Sequence, residues 1–238
     1  MITASPHILP LGDQALCIQY PQLINEALHQ KIMLDYKKLI LYKTPFITDI
    51  IPAFCSISII YNFEKILKFT NTNNIIQYIS EWIMNTIQKP SEKKIKENKL
   101  IEIPVCYHNS FALDIQRISD GNNIPVEELI QQHSSKNYRV FMLGFLPGFP
   151  YMGLVPSSIS FPRLTNPRTI VETGSVGIAG EQTGIYPLQS PGGWNIIGRT
   201  PLQLFNSELS NPCLLNPGDT VQFVPISLEE FNHLKSST

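Results

Sequence analysis

Gly174-Ser-Val-Gly-Ile-Ala-Gly-Glu-Gln-Thr-Gly184, followed closely by Ser190-Pro-Gly-Gly-Trp-Asn-Ile-Ile-Gly-Arg-Thr200, decides how the second half of the chain is read. Val176 to Ala179 and Trp194 to Gly198 are short β-like runs, cut by glycine too often for helices to form. The same pattern spreads to both sides. Val140 to Phe145, Thr169 to Val171, Leu202 to Phe205 and Val221 to Val224 are further apolar runs separated by turn residues. Many short strands at close spacing imply a closed or nearly closed β-barrel. Asn216-Pro-Gly-Asp219 reads as a turn feeding the last strand. Two short helices precede the barrel, about Ala112 to Ser119 and Pro125 to His133. Gly121-Asn-Asn123 ends the first; Pro125 opens the second, with Glu127 and Glu128 in its positive first turn.

The first half has a different chemistry. Only Gly12 precedes residue 121, every arginine lies from Arg117 onward, and only Lys136 and Lys235 lie beyond Lys99. Such a shift argues for two domains. Ala15 to Tyr20 reads as a strand. Ile24, Leu28, Ile32, Tyr36 and Leu39/Ile40 recur at helical spacing. Thr48 to Phe54 and Cys55 to Tyr61 are two strands, the second alternating Cys55, Ile57 and Ile59 with Ser56 and Ser58. A helix from about Asn73 turns Ile75, Ile76, Ile79, Ile83 and Ile87 inward, and Leu100 to Cys106 supplies a last strand. The order β-α-β-β-α-β is the split βαβ, ferredoxin-like arrangement of an α+β domain. The expected domains are therefore residues 1–106 (α+β) and 107–238 (barrel).

Composition narrows the function classes. A net charge of −1 and a pI near 6.5 give little support for a phosphate-gripping nucleic-acid surface. The lysine-rich stretch Gln88 to Lys99 is interrupted by Glu92 and Glu97 and reads as a solvated loop. Cys17, Cys55, Cys106 and Cys213 form no Cys-x-x-Cys pair and no zinc spacing with histidine, so buried free thiols and a reducing, cytoplasmic setting are expected. Met1 to Pro10 lacks the character of a secretory signal. No apolar run is long enough to span a bilayer.

Three segments offer chemistry. Leu143-Gly-Phe-Leu-Pro-Gly-Phe-Pro-Tyr-Met-Gly153 is a stiff aromatic loop, suited either to a ligand-pocket wall with Phe145, Pro147, Phe149 and Tyr151 or to a tight barrel corner. The 174–184 run matches neither a phosphate loop nor a dinucleotide fingerprint. Its glycines, with Gly174, Ser175 and Gly177 beside Gln182 and Thr183, would let backbone amides converge on an anion. In the third segment Trp194 would stack on a planar ring or plug the barrel. Arg163, Arg168 and Arg199 provide guanidinium forks for a carboxylate or phosphate, or else structural ion pairs. His133 ends a helix, where it would carry protons or meet the helix dipole. No metal-ligand cluster stands out.

Taken in order, these blocks resemble a known family. His133-Ser-Ser with Tyr138, the 143–153 loop, Pro162-Arg163 and Pro167-Arg168, Gly174 to Gly180, Gln182-Thr-Gly-Ile-Tyr-Pro187, Ser190 to Trp194, Ile197-Gly-Arg-Thr-Pro201 and Leu215 to Asp219 are similar to the 5-oxoprolinase B-subunit family (PxpB). That family is also called KipI or allophanate hydrolase subunit 1. The resemblance implies a cyclophilin-like barrel behind the α+β domain. It further implies a cytoplasmic complex with an A-type partner of the LamB/YcsF type and a C-type partner of the KipA or allophanate hydrolase subunit 2 type. The complex would hydrolyse 5-oxoproline to L-glutamate with ATP and Mg2+, neither held as a cofactor of this chain. On this reading the barrel holds the carboxylate of a small-molecule substrate, or its phosphorylated intermediate, with Arg163, Arg168 or Arg199, and His133 carries a proton. Glu172 departs from the family pattern, in which proline is expected. The rival readings are an inhibitor of a sensor histidine kinase, a component of an allophanate or urea-carboxylase-type hydrolase, and, from the barrel alone, a prolyl isomerase.

Overall fold

A computed structural model describes residues 6–70, 72, 74–90 and 99–236. The chain separates into two compact units that divide between Glu97 and Asn98.

In the first unit, β1 (His7–Pro10), β2 (Ala15–Gln19), α1 (Glu26–Leu41), β3 (Ile47–Pro52), β4 (Ser56–Tyr61), α2 (Phe63–Phe69) and α3 (Ile75–Gln88) follow in order. The strands make an antiparallel sheet in the order β1-β2-β4-β3. Alternation along the strands sends Leu16 and Ile18 of β2 and Ile57, Ile59 and Tyr61 of β4 into one core, where Leu28, Ile32 and Leu39 of α1 meet Ile79, Ile83 and Ile87 of α3. Asn25, Asn62 and Asn74 cap the three helices with their side-chain oxygens. The apolar stripe is narrower than the sequence spacing implied. Ile24 lies ahead of α1, and Ile40 and Ile76 face solvent. The lysine-rich stretch read as a solvated loop falls mostly on residues 91–98, outside the described residues.

The second unit contains β5 (Leu100–Val105), α4 (Ile115–Asn122), α5 (Val126–Ser134), β6 (Asn137–Leu143), β7 (Pro150–Gly153), β8 (Arg168–Val171), β9 (Ser175–Ala179), β10 (Gln182–Ile185), β11 (Ser190–Gly192), β12 (Asn195–Arg199), β13 (Thr220–Pro225) and α6 (Leu228–Ser236). Seven strands form one curled sheet in the order β12-β9-β10-β7-β6-β13-β5. Its two end strands come together beyond β5, where Cys106 and Arg199 exchange backbone hydrogen bonds of 2.9 and 3.0 Å. Gly198 permits that approach, since a Cβ there would stand 2.8 Å from Val105 and 3.0 Å from the Cys106 carbonyl. The barrel expectation is met to this extent, as a curled sheet around one core that includes Val105, Tyr138, Val140, Met152, Val176, Ile178, Ile197 and Phe223.

The six-element order expected of the first domain is not completed. β5 runs parallel to β13 across all six of its residues, and β1 takes the place beside β2. The hydrogen bonds of the second sheet therefore claim a strand that the sequence pattern had assigned to the first unit. Leu202 to Phe205 forms no strand, only a bridge from Phe205 to Cys213. All four cysteines are free; Cys55 and Cys106 are buried, while Cys17 and Cys213 are partly exposed. Among the described residues no helix is long and apolar enough to cross a membrane.

Candidate functional site

Strand alternation gives the curled sheet two faces with different contents. Met152, Ile185 and Ile197 point into the main core. Their neighbours Tyr151, Tyr186 and Ile196 point to the other side, joined by Phe149 and Trp194. Phe149 is the hub of this outer cluster, with ring centroids 4.9 Å from Tyr151, 5.2 Å from Tyr186 and 5.3 Å from Trp194. The last two contacts are edge-to-face, the arrangement favoured by aromatic quadrupoles. Gly184 makes room for the rings: a Cβ there would lie 2.9 Å from Trp194 and 3.0 Å from Phe149. The Arg163 guanidinium lies over the Trp194 ring, 5.7 Å from its centre.

Phe145 stands at the tip of the β6–β7 turn with 62% of its surface exposed and φ of +66°. A bulky residue rarely adopts this left-handed conformation. Three short-range hydrogen bonds, Gly144 N–H to Phe149 O, Leu146 N–H to Gly144 O and Phe149 N–H to Leu146 O, hold the loop in place. The Phe145 ring meets Phe149 and Tyr186 edge-on, and Pro147 is exposed beside it. Backbone strain that presents an apolar ring to solvent is a feature of contact sites. Of the two uses open to the 143–153 loop, a tight corner describes its backbone and an exposed aromatic wall describes its surface.

The three arginines do not converge. Arg168 makes a two-pronged ion pair with Asp114, at 2.9 and 2.7 Å, and the same carboxylate accepts the Ile196 N–H. Arg168 thus ties β8 to the segment ahead of α4. Arg199 donates Nε–H to the Thr173 carbonyl at 2.8 Å, with Glu172 at 3.8 Å. It faces a separate hollow of about 350 Å³, also lined by Thr200, Gln203, Phe231 and Lys235. Arg163 is the one of the three that lies over Trp194; burial raises the Tyr186 phenol pKa, and the charges of both Arg163 and Arg168 act against that rise. The three therefore do not meet as one clamp: Asp114 holds Arg168, and the Thr173 carbonyl holds Arg199.

The glycine run is no anion nest. Gly174 N–H donates to Tyr186 O, Ser175 N–H to Glu172 O and Gly180 N–H to Phe161 O. Gly177 and Gln182 sit in the β9–β10 and β7–β10 ladders. The backbone donors expected to meet a ligand are occupied by the sheet.

His133 is also reassigned. It is fully buried, stacked on Phe223 with centroids 4.5 Å apart. Thr183 Oγ1 donates to Gly177 O, so it accepts from His133 Nε2–H at 2.9 Å, and His133 Nδ1 accepts from the Tyr107 hydroxyl at 2.8 Å. Burial lowers the imidazole pKa to about 3, and burial raises the Tyr107 phenol well above its usual range. A neutral imidazole with both nitrogens engaged inside the core joins α5 to β10.

Tyr186, Gln203 and Lys235 are site-lining residues that sequence reading did not single out. Tyr186 follows Gly184 at strand spacing, which marks the same face. Lys235 lies on α6, read as a tail. Ser227 and Glu230 make the reciprocal capping box that starts this helix, a visible Ser-x-x-Glu signal.

The family model described as "Carboxyltransferase domain, subdomain C and D" matches residues 6–215. The chain belongs to this family. The 5-oxoprolinase B subunit of Bacillus subtilis (strain 168) is 34% identical, over 100% of both chains. The urea amidolyase of Lachancea kluyveri is 28% identical, over 93% of this chain and 13% of its own length. The crystal structure of TTHA0988 matches with a TM-score of 0.77 at 27% identity, covering 90% of this chain and 40% of that one. The carboxyltransferase C/D unit therefore occurs both as a chain of this length and inside longer chains.

Proposed function

We propose that this chain is the B subunit of an ATP-driven 5-oxoprolinase, inactive alone and working with an A-type partner of the LamB/YcsF type and a C-type partner of the KipA type. One observation carries the reading: 34% identity to a 5-oxoprolinase B subunit over 239 aligned residues. The occurrence of related units within long urea amidolyase chains supports a module that acts against neighbours. Its curled sheet is read as cyclophilin-like, the barrel domain beginning with β5 ahead of residues 107–238.

The chemistry explains why several parts are needed. Amide resonance makes the lactam carbonyl of 5-oxoproline a poor electrophile. Phosphoryl transfer from ATP to the lactam oxygen, releasing ADP, weakens that resonance; one water then adds to the carbon and the C–N bond opens to leave an acyl phosphate, which a second water hydrolyses to L-glutamate and inorganic phosphate. ATP and Mg2+ are used by the assembly on this reading, and this sequence carries no phosphate-loop motif. The contribution proposed for this chain is the wall of Phe145, Phe149, Tyr151, Tyr186 and Trp194 with Arg163, completed by a neighbouring protein of the complex. Size-exclusion chromatography of the chain mixed with its A- and C-type partners tests the assembly. Co-elution is expected. Separate elution, with inhibition of a sensor histidine kinase by the isolated chain, would favour the regulator instead.

A further inference from the structure

The hollow beside Arg199 lies apart from the aromatic wall and has its own chemistry. Its floor is apolar: Phe231 packs on Phe111 with ring centroids 4.5 Å apart, and the Arg199 guanidinium lies 5.7 Å above Phe111. The Nε–H bond to Thr173 O fixes how that guanidinium is turned. Its terminal nitrogens make no hydrogen bond among the described residues, and Glu172 at 3.8 Å is beyond hydrogen-bond reach. Glu172 is itself engaged, accepting from the Gln189 amide at 3.0 Å. Lys235 lines the same hollow and has no carboxylate within ion-pair distance among the described residues. Two cations against one carboxylate leave the hollow positive, and Gln203 adds a neutral hydrogen-bonding group. The volume of about 350 Å³ is at the small end of ligand pockets.

We propose that this hollow binds a small carboxylate, its anionic end between Arg199 and Lys235 and its polar end towards Gln203. A planar guanidinium whose stem is already fixed loses little freedom on gripping a carboxylate. 5-Oxoproline and L-glutamate share the required chemistry. Naming them rests on the 5-oxoprolinase reading; the carboxylate preference does not.

Calorimetric titration of the full chain with 5-oxoproline, L-glutamate and 2-pyrrolidinone, the same lactam without the carboxylate, tests the proposal. Saturable binding of one or both acids and none of 2-pyrrolidinone is expected, and comparing the acids separates substrate from product. Lys235→Met should weaken binding roughly two- to fivefold, the range for partly exposed charge pairs. Glu172→Gln should tighten it by a similar factor. These opposite signs at two exposed rim positions do not depend on how well an Arg199 variant folds. Absence of acid binding at about 10 mM, well above ordinary KM values, would overturn the proposal. So would equal binding of 2-pyrrolidinone, or two variants identical to the wild type. A three-protein complex active on 5-oxoproline, with no acid binding to this chain, would sink the hollow and leave the proposed function standing. Acid binding without activity in the complex would do the reverse.

Discussion

Replacing His133 with phenylalanine should change the pH dependence of folding stability more tellingly than the stability itself. The imidazole is held neutral, with a folded pKa of about 3, against about 6.5 in an unfolded chain. Between those values the unfolded state binds the proton and the folded state does not. The contribution of His133 is therefore fully present above pH 6.5 and is lost as pH falls towards 3, at about 1.4 kcal/mol per pH unit. From pH 6.5 to 4.5 the loss through this one residue is about 2–3 kcal/mol. Phenylalanine keeps the stack on Phe223 but leaves the buried Tyr107 hydroxyl without its acceptor, a cost of about 1–3 kcal/mol that does not vary with pH in this range. The variant should thus be less stable at neutral pH, and the gap should close or reverse near pH 4.5. Urea unfolding at a series of pH values, with Cm and m measured for both proteins, reads this directly. A stability difference independent of pH would refute the buried neutral histidine and reopen a solvent-linked role for it.

Two further positions probe the outer face. Gly184→Ala places a methyl group within 3.0 Å of Phe149 and Trp194 and should cost about 1–3 kcal/mol, with altered tryptophan fluorescence in the folded state; an unchanged unfolding midpoint would contradict the close packing. Phe145→Gly should leave stability within about 1 kcal/mol, because relief of the positive φ offsets the flexibility gained by the unfolded chain. Phe145→Val, with a branched Cβ in the same backbone, should destabilise by about 1–2 kcal/mol. Both lose the exposed ring and should weaken co-elution with the partner proteins; undiminished assembly would remove Phe145 from the interface.

Local signals in the sequence translated well where they depended on neighbours in the chain. The glycine-cut runs became β9 and β12, Asn216 to Asp219 became the turn into β13, and Pro125 opened α5. Signals that depended on distant partners did not. Leu100 to Val105 is apolar enough for either sheet, and only its pairing with β13 shows which one takes it. The arginines were legible as a set because lysine is scarce around them, but their directions depend on Asp114 and Thr173, which are remote or unremarkable in the sequence. The glycines were read for the donors they expose. In the structure Gly184 serves the rings it admits and Gly198 serves the meeting of the sheet's ends. His133 stood out as the best-placed imidazole of its half, and the packing of Phe223 and Tyr138 around it is what closes it off.

Glutamate release from 5-oxoproline and ATP, measured in a mixture of this chain with its A- and C-type partners and in mixtures lacking one component each, bears most directly on the proposed role. Turnover should require all three proteins, and this chain by itself should be silent. Equal turnover when this chain is left out would contradict the account.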